Sequence, residues 1–133
     1  MRVAVSAVGA SLDVAVDPRF GRCAYFVIVD TDTLEFETVP NVSQSASSGA
    51  GIQAAQTIAS KGAKAVLTGN IGPNAYQALS AAGIKIVTGV TGTVREVVIK
   101  YKKGELKETG FPTVGGHFGM GRGGGKGRGR RWR

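Results

Sequence analysis

Two spacings of apolar residues alternate along this chain. Short unbroken runs at residues 2–7 (RVAVSA), 24–29 (AYFVIV), 65–68 (AVLT) and 85–88 (KIVT) read as strands buried on both faces. Residues 34–39 (LEFETV) alternate instead, with Glu35 and Glu37 on one side, which suits a sheet edge. The DTDT stretch at 30–33 predicts a tight hairpin joining the second and third runs. Elsewhere the spacing is helical. Ile52, Ala55, Ile58 and Ala59 form one stripe, and Ala75, Ala78, Leu79 and Ala82 another. Val94, Val97, Val98 and Tyr101 form a third. Gly62, Gly83 and Gly104 follow these stripes, as a residue able to turn left-handed past a helix end should. Pro73 suits a first turn, and Thr93 to Glu96 matches a capping box.

The predicted order is three strands, then helix, strand, helix, strand, helix: an α/β sandwich on a mixed sheet. If the second strand runs antiparallel to the first, and right-handed crossovers make the fourth and fifth parallel to it, four loops share one rim. They are GASLDVAVDPRFGRC, NVSQSASSGAG, GNIGP and GVTGT. The first is longer than its connection requires, which marks it as a functional loop.

The rim has a chemistry of its own. Three helix N-termini point at it, with Gly49, Gly51, Gly69, Gly72 and Gly92 letting backbone N–H groups approach a ligand closely. Helix N-termini favour anions, and Arg19 and Arg22 add two forked guanidinium groups. Taken singly, each glycine is explained by turn-making and each arginine by solvation; their convergence points to a cleft for a bulky anion. Phe20 reads as the anchor that packs the first loop down, and Asp17-Pro18 as turn chemistry.

Charge is unevenly spread. The net charge is +8, yet residues 115–133 hold six Lys or Arg, nine glycines and no acid. A domain at 1–112 followed by a disordered basic tail at 113–133 is the predicted organisation. Arg122, Lys126, Arg128, Arg130, Arg131 and Arg133, with Trp132 to stack on a base, give that tail an alternative role in nucleic-acid binding. Nonspecific contact with nucleic acid is expected on charge alone.

Candidate metal ligands are sparse. Cys23, the only cysteine, reads as a small buried hydrophobe or as a thiolate beside Arg22 for a soft metal. His117 and Met120 in the tail are weak candidates. Asp13, Asp17, Asp30 and Asp32 occupy loops, and no carboxylate lies inside the first strand, which argues against two-metal nuclease chemistry. No nucleophile–base pair, phosphate-loop lysine or dinucleotide fingerprint is present, so a binding protein rather than an enzyme is expected. A single cysteine implies no oxidising compartment, and no apolar run suffices for a signal peptide or membrane span, so the cytoplasm is expected.

The segments VAVSA, DPRFGRCAYFVIVD, SGAGIQAAQTIASKGAKAVLTGNIGPNAYQALSAAGIKI and TGTVREVVIKYKKGELKE together resemble the dinitrogenase iron-molybdenum cofactor-binding (biosynthesis) family. The combination of RFGR, GAGI and TGNIGPNA in that order carries the resemblance. It implies a ribonuclease H-like three-layer α/β/α sandwich with a five-stranded mixed sheet and three helices. It also implies carriage of an iron-molybdenum cofactor, or another molybdenum or iron–sulfur cluster, during metallocluster assembly. Arg19, Phe20, Gly21, Arg22, Gly69, Asn70, Gly72 and Pro73 are the matching site positions. Cluster-assembly proteins are the implied partners of a monomer or weak homodimer.

Overall fold

The computed structural model describes residues 1–42 and 49–113. Strands β1 (Arg2–Ala7), β2 (Tyr25–Asp30), β3 (Phe36–Pro40), β4 (Ala65–Leu67) and β5 (Lys85–Val87) form one sheet in the order β3-β2-β1-β4-β5. β2 runs antiparallel to β1 and to β3, whereas β4 is parallel to β1 and β5 to β4. The mixed sheet and its edge strand β3 are as the sequence predicts.

The helices are α1 (Ala50–Ser60), α2 (Pro73–Ala81) and α3 (Val94–Lys102). Alternation along the central strands gives each face its own core. Ala4, Phe26, Ile28, Val66 and Ile86 turn toward α1 and α2, where Ala55, Ile58 and Leu79 are buried. Val3, Val5, Val27, Leu67 and Val87 turn the other way and meet Val94, Val97 and Val98 of α3. The result is an α/β/α sandwich of the ribonuclease H-like kind.

Element ends follow local chemistry. The α3 capping box is complete: Thr93 Oγ1 accepts from Glu96 N–H, and the Glu96 carboxylate accepts from Thr93 N–H. Pro73 opens α2 as predicted. β3 begins two residues later than the alternation suggests. Leu34 adopts a left-handed φ of 63° and its N–H bonds to the Asp30 carbonyl, so it belongs to the turn. That turn is wider than a tight hairpin, and the Asp30 carboxylate holds it by accepting from Asp32 and Thr33 N–H.

Past α3, a strap at residues 109–113 returns across the end of the sheet. Thr109 donates to the Ile86 carbonyl and Thr113 to the Ile71 carbonyl, while Thr113 Oγ1 accepts from Ile71 N–H. The candidate tail residues His117, Met120, Arg122, Lys126, Arg128, Arg130, Arg131, Trp132 and Arg133 lie outside the described residues. Among the described residues no helix is long and apolar enough to cross a membrane.

Candidate anion-binding groove

The long loop between β1 and β2 is ordered by the side chains it contains. Its first half lies over the α3 face, where Leu12 and Val16 are buried. Its second half lies over the α1/α2 face, where Phe20 is 2% exposed and meets the Phe26 ring at a centroid distance of 5.2 Å. Burial of one such ring is worth roughly 1.5–3 kcal/mol, enough to hold a short loop in place. Asp17 makes the crossing. Its backbone pairs with Ser6, its Oδ1 accepts from Arg19 N–H at 2.9 Å, and its two oxygens receive Nε and Nη2 of the Arg19 guanidinium. Asp17 is the turn residue the sequence suggests, and it is also the partner that aims Arg19.

Arg19 then pairs with the β4–α2 loop as a strand would. Phe20 N–H bonds to the Asn70 carbonyl and Asn70 N–H to the Pro18 carbonyl. Residues Phe20–Arg22 close a single 3-10 turn, which periodicity gave no means to predict. Asn41, buried just past β3, steadies that turn from below by donating to the carbonyls of Gly21 and Cys23. Asn41 was not singled out from sequence, because an asparagine after a strand reads as ordinary turn chemistry.

Between these loops and two helix ends lies a groove of ≈ 390 Å³, within the usual size range of small-molecule sites. Arg19, Phe20, Gly21 and Arg22 form one wall; Gly49, Ala50 and Gly51 form the second; Asn70, Gly72, Pro73, Asn74 and Ala75 form the third. Among the described residues no Asp or Glu lines it.

The two helices present unusual ends here. Gly49, at φ 75°, caps α1 and Gly72 caps α2, and neither cap supplies a side-chain acceptor. The first intrahelical bonds run from Gln53 to the Gly49 carbonyl and from Tyr76 to the Gly72 carbonyl. The N–H groups of Ala50, Gly51, Ile52, Asn74 and Ala75 therefore precede any intrahelical partner. α3, which starts on the opposite face, is fully capped. Each uncapped end carries roughly half a positive charge, and neither first turn contains an acid to neutralise it.

Close packing makes this convergence possible. A Cβ on Gly51 would stand 2.9 Å from the Ala75 Cβ, and one on Gly21 would stand 3.3 Å from Gly51 N. Both glycines serve contact between walls.

Three expected site residues are placed elsewhere. A Cβ on Gly69 would lie 2.6 Å from Pro18 Cα, so this glycine is needed for loop-to-loop packing, and it does not line the groove. Gly92 belongs to the α3 face: its carbonyl accepts from Val16 N–H, and a Cβ there would lie 2.7 Å from Glu96 Oε1. The GVTGT loop thus joins the first half of the long loop, and three loops rather than four enclose the groove. Cys23 is fully buried in the α1/α2-side core. Burial pushes its thiol up to about 12, and its Sγ donates to the Phe20 carbonyl. Cys23 does not line the groove and, among the described residues, belongs to no cluster of metal-ligating side chains, so its place in the structure is that of a small buried hydrophobe.

Among the described residues no three His, Cys, Asp or Glu side chains gather to hold a metal ion. Asp13 pairs with Arg95, Asp32 with Lys102 and Asp17 with Arg19. A second concavity, ≈ 240 Å³, lies at the opposite end of the sheet between Arg2, Asp30, Glu35 and Glu37. Its carboxylates make it unsuitable for an anion. The groove is a different chemical object, built of amide and guanidinium donors.

Comparison with known proteins agrees with the resemblance read from sequence. Residues 1–104 match the model of the family described as dinitrogenase iron-molybdenum cofactor. The structure is similar to the apo form of the orange protein from Desulfovibrio gigas, with 49% identity and a TM-score of 0.83 over 85% of this chain and 96% of that one. It is also similar to a Thermotoga protein provisionally described as NifB, with 38% identity and a TM-score of 0.70 over 80% and 91% of the two chains. An uncharacterised protein of Methanocaldococcus jannaschii is 31% identical over 96 residues, covering 70% of this chain and 81% of the relative.

Proposed function

Because the chain belongs to the dinitrogenase iron-molybdenum cofactor family, we propose that it is a carrier for an anionic metal–sulfur cluster, taken up in the groove between α1, α2 and the 19–22 turn. The cargo is an iron-molybdenum cofactor or a related molybdenum or iron–sulfur species, and the protein carries it without catalysing its conversion. The observation that supports this most is the contrast among helix ends: the two that open on the groove, which no acid lines among the described residues, have glycine N-caps without a side-chain bond, whereas the third is capped.

The donor set suits such cargo. Sulfido-rich anions are large and diffuse, and an array of N–H groups spread over three walls matches them better than a single point charge. The bonds would be hydrogen bonds and ion pairs to the cluster's periphery, with the protein supplying no metal ligand from these walls. Such binding is reversible, as delivery to an acceptor protein requires. Similarity to a protein whose solved form is named apo supports a ligand-free state that is folded and ready.

The test is anaerobic incubation of the protein with isolated iron-molybdenum cofactor, and separately with tetrathiomolybdate, followed by gel filtration and metal analysis. Retained metal that is lost in the Arg19→Ala, Arg22→Ala double variant is the expected result. No retention of either species overturns the proposal.

A further inference from the structure

Three buried polar residues, Thr68, Ser6 and Asp17, stand in a row at the end of the sheet. Ser6 is the penultimate residue of β1, and Thr68 directly follows β4. By alternation from Ala4 and Val66, both point to the α1/α2 face, the side on which the groove opens. Thr68 Oγ1 lies 2.7 Å from Ser6 Oγ, and Ser6 Oγ lies 2.6 Å from the Asp17 carbonyl oxygen. A carbonyl only accepts, so the Ser6 proton goes to Asp17 and Thr68 donates to Ser6. The chain of bonds therefore has one direction. At its far end, both Asp17 carboxylate oxygens receive the Arg19 guanidinium on the groove wall.

Stability alone does not call for hydroxyls here. A buried hydroxyl pair contributes little net stability, and apolar groups of the same shape at both positions can serve nearly as well. What a satisfied buried network adds is a single arrangement of the groups it joins. These hydroxyls also stand at the roots of two groove loops. Ser6 comes just before the long loop, and its carbonyl accepts from Asp17 N–H. Thr68 leads into Gly69 and Asn70, and the Asn70 backbone pairs with Pro18 and Phe20. The two loops are thus joined twice, by hydroxyls at the root and by backbone at the groove.

We infer that Ser6, oriented by Thr68, is a positioning residue of the anion groove: it grips the Asp17 carbonyl and so fixes the carboxylate that aims Arg19. Its consequence for guest binding rests on the cargo reading above, whereas its effect on Arg19 does not.

The experiment uses full-length proteins. Ser6→Ala removes the grip. Thr68→Val keeps the shape and the Ser6–Asp17 bond but removes the donor that orients Ser6, and Thr68→Ser keeps that donor. The Arg19 Nε–H signal is followed by proton–nitrogen NMR without guest, and tetrathiomolybdate affinity by equilibrium dialysis. The signal should shift and exchange severalfold faster with water in Ser6→Ala, less so in Thr68→Val, and stay unchanged in Thr68→Ser. Affinity should fall in the same order, severalfold for Ser6→Ala, because misaimed donors lose much of their value. In an Arg19→Ala background, Ser6→Ala should cost no further affinity, since its effect passes through Arg19. If Ser6→Ala does not fold, the shape-preserving Thr68→Val carries the comparison. Natural Arg19 signals in the folded variants overturn the inference, and a lower urea midpoint alone then marks Ser6 as structural. Losses that add in full to that of Arg19→Ala, or a moved signal with unchanged affinity, also overturn it and leave the cargo reading intact. If none of the proteins binds tetrathiomolybdate, the cargo reading falls with the role in guest binding, and the guest-free signals still decide whether Ser6 aims Arg19.

Discussion

Gly51 of α1 and Ala75 of α2 approach so closely that a single added methyl at Gly51 would lie 2.9 Å from the Ala75 Cβ. This contact draws two helix N-termini to one groove. In Gly51→Ala the added carbon must push α2 away, at a cost of about 1–3 kcal/mol, offset by about 1 kcal/mol of better helix propensity. Stability measured by urea denaturation should therefore fall only slightly. Tetrathiomolybdate affinity should fall at least about tenfold, because oriented donors lose much of their value when displaced by an ångström.

Asp17 and Arg19 make the second prediction. In Asp17→Asn an amide oxygen can still accept the Arg19 N–H, but the groove gains a unit of positive charge. Equilibrium dialysis at low salt should show severalfold tighter tetrathiomolybdate binding, and the gain should vanish as salt screens it. Arg19→Ala with Arg22→Ala should have the opposite effect, with at least about a tenfold loss.

Thr93→Ala provides the control for helix ends. It removes the α3 cap and should cost about 1 kcal/mol in a denaturant titration. Since α3 starts on the opposite face from the groove, anion affinity should be unchanged. A matching loss of affinity would show that global stability, rather than the two uncapped ends, governs binding.

Cys23 gives a pH prediction. Its folded-state thiol titrates at about 12, against 9.0 ordinarily. The unfolded chain therefore loses this proton first, and stability should decline as pH rises above about 9, by up to the slope of one proton, until the folded thiol also ionises. Urea midpoints across pH 8–11 should show that decline, and Cys23→Ala should remove this contribution. The native thiol should also react with a thiol-specific reagent only at the rate of unfolding.

Strand order and helix positions were legible because each rests on a local signal: β-branched runs, apolar stripes, terminal glycines and a capping box; the family was legible through its resemblance at RFGR, GAGI and TGNIGPNA. The groove was legible only in part. RFGR and GNIGP stood out as basic and glycine-rich, and the structure brings them together through the Phe20–Asn70 and Asn70–Pro18 bonds. Glycine alone could not distinguish a ligand-facing position from a packing one, so Gly69 and Gly92 looked like Gly51. What separates them is which backbone their missing side chain would strike. Asn41 and the strap at 109–113 act through long-range hydrogen bonds with no periodic signature. Only coordinates reveal them.

The central claim, that amide donors from two helix ends face a single anionic guest, is tested most directly by a backbone amide NMR titration with tetrathiomolybdate. The account predicts saturable shifts at Ala50, Gly51, Asn74 and Ala75, together with Gly21, on one binding curve. Shifts absent from these amides, or gathered instead around Arg2 and Phe36 at the opposite end of the sheet, would contradict it.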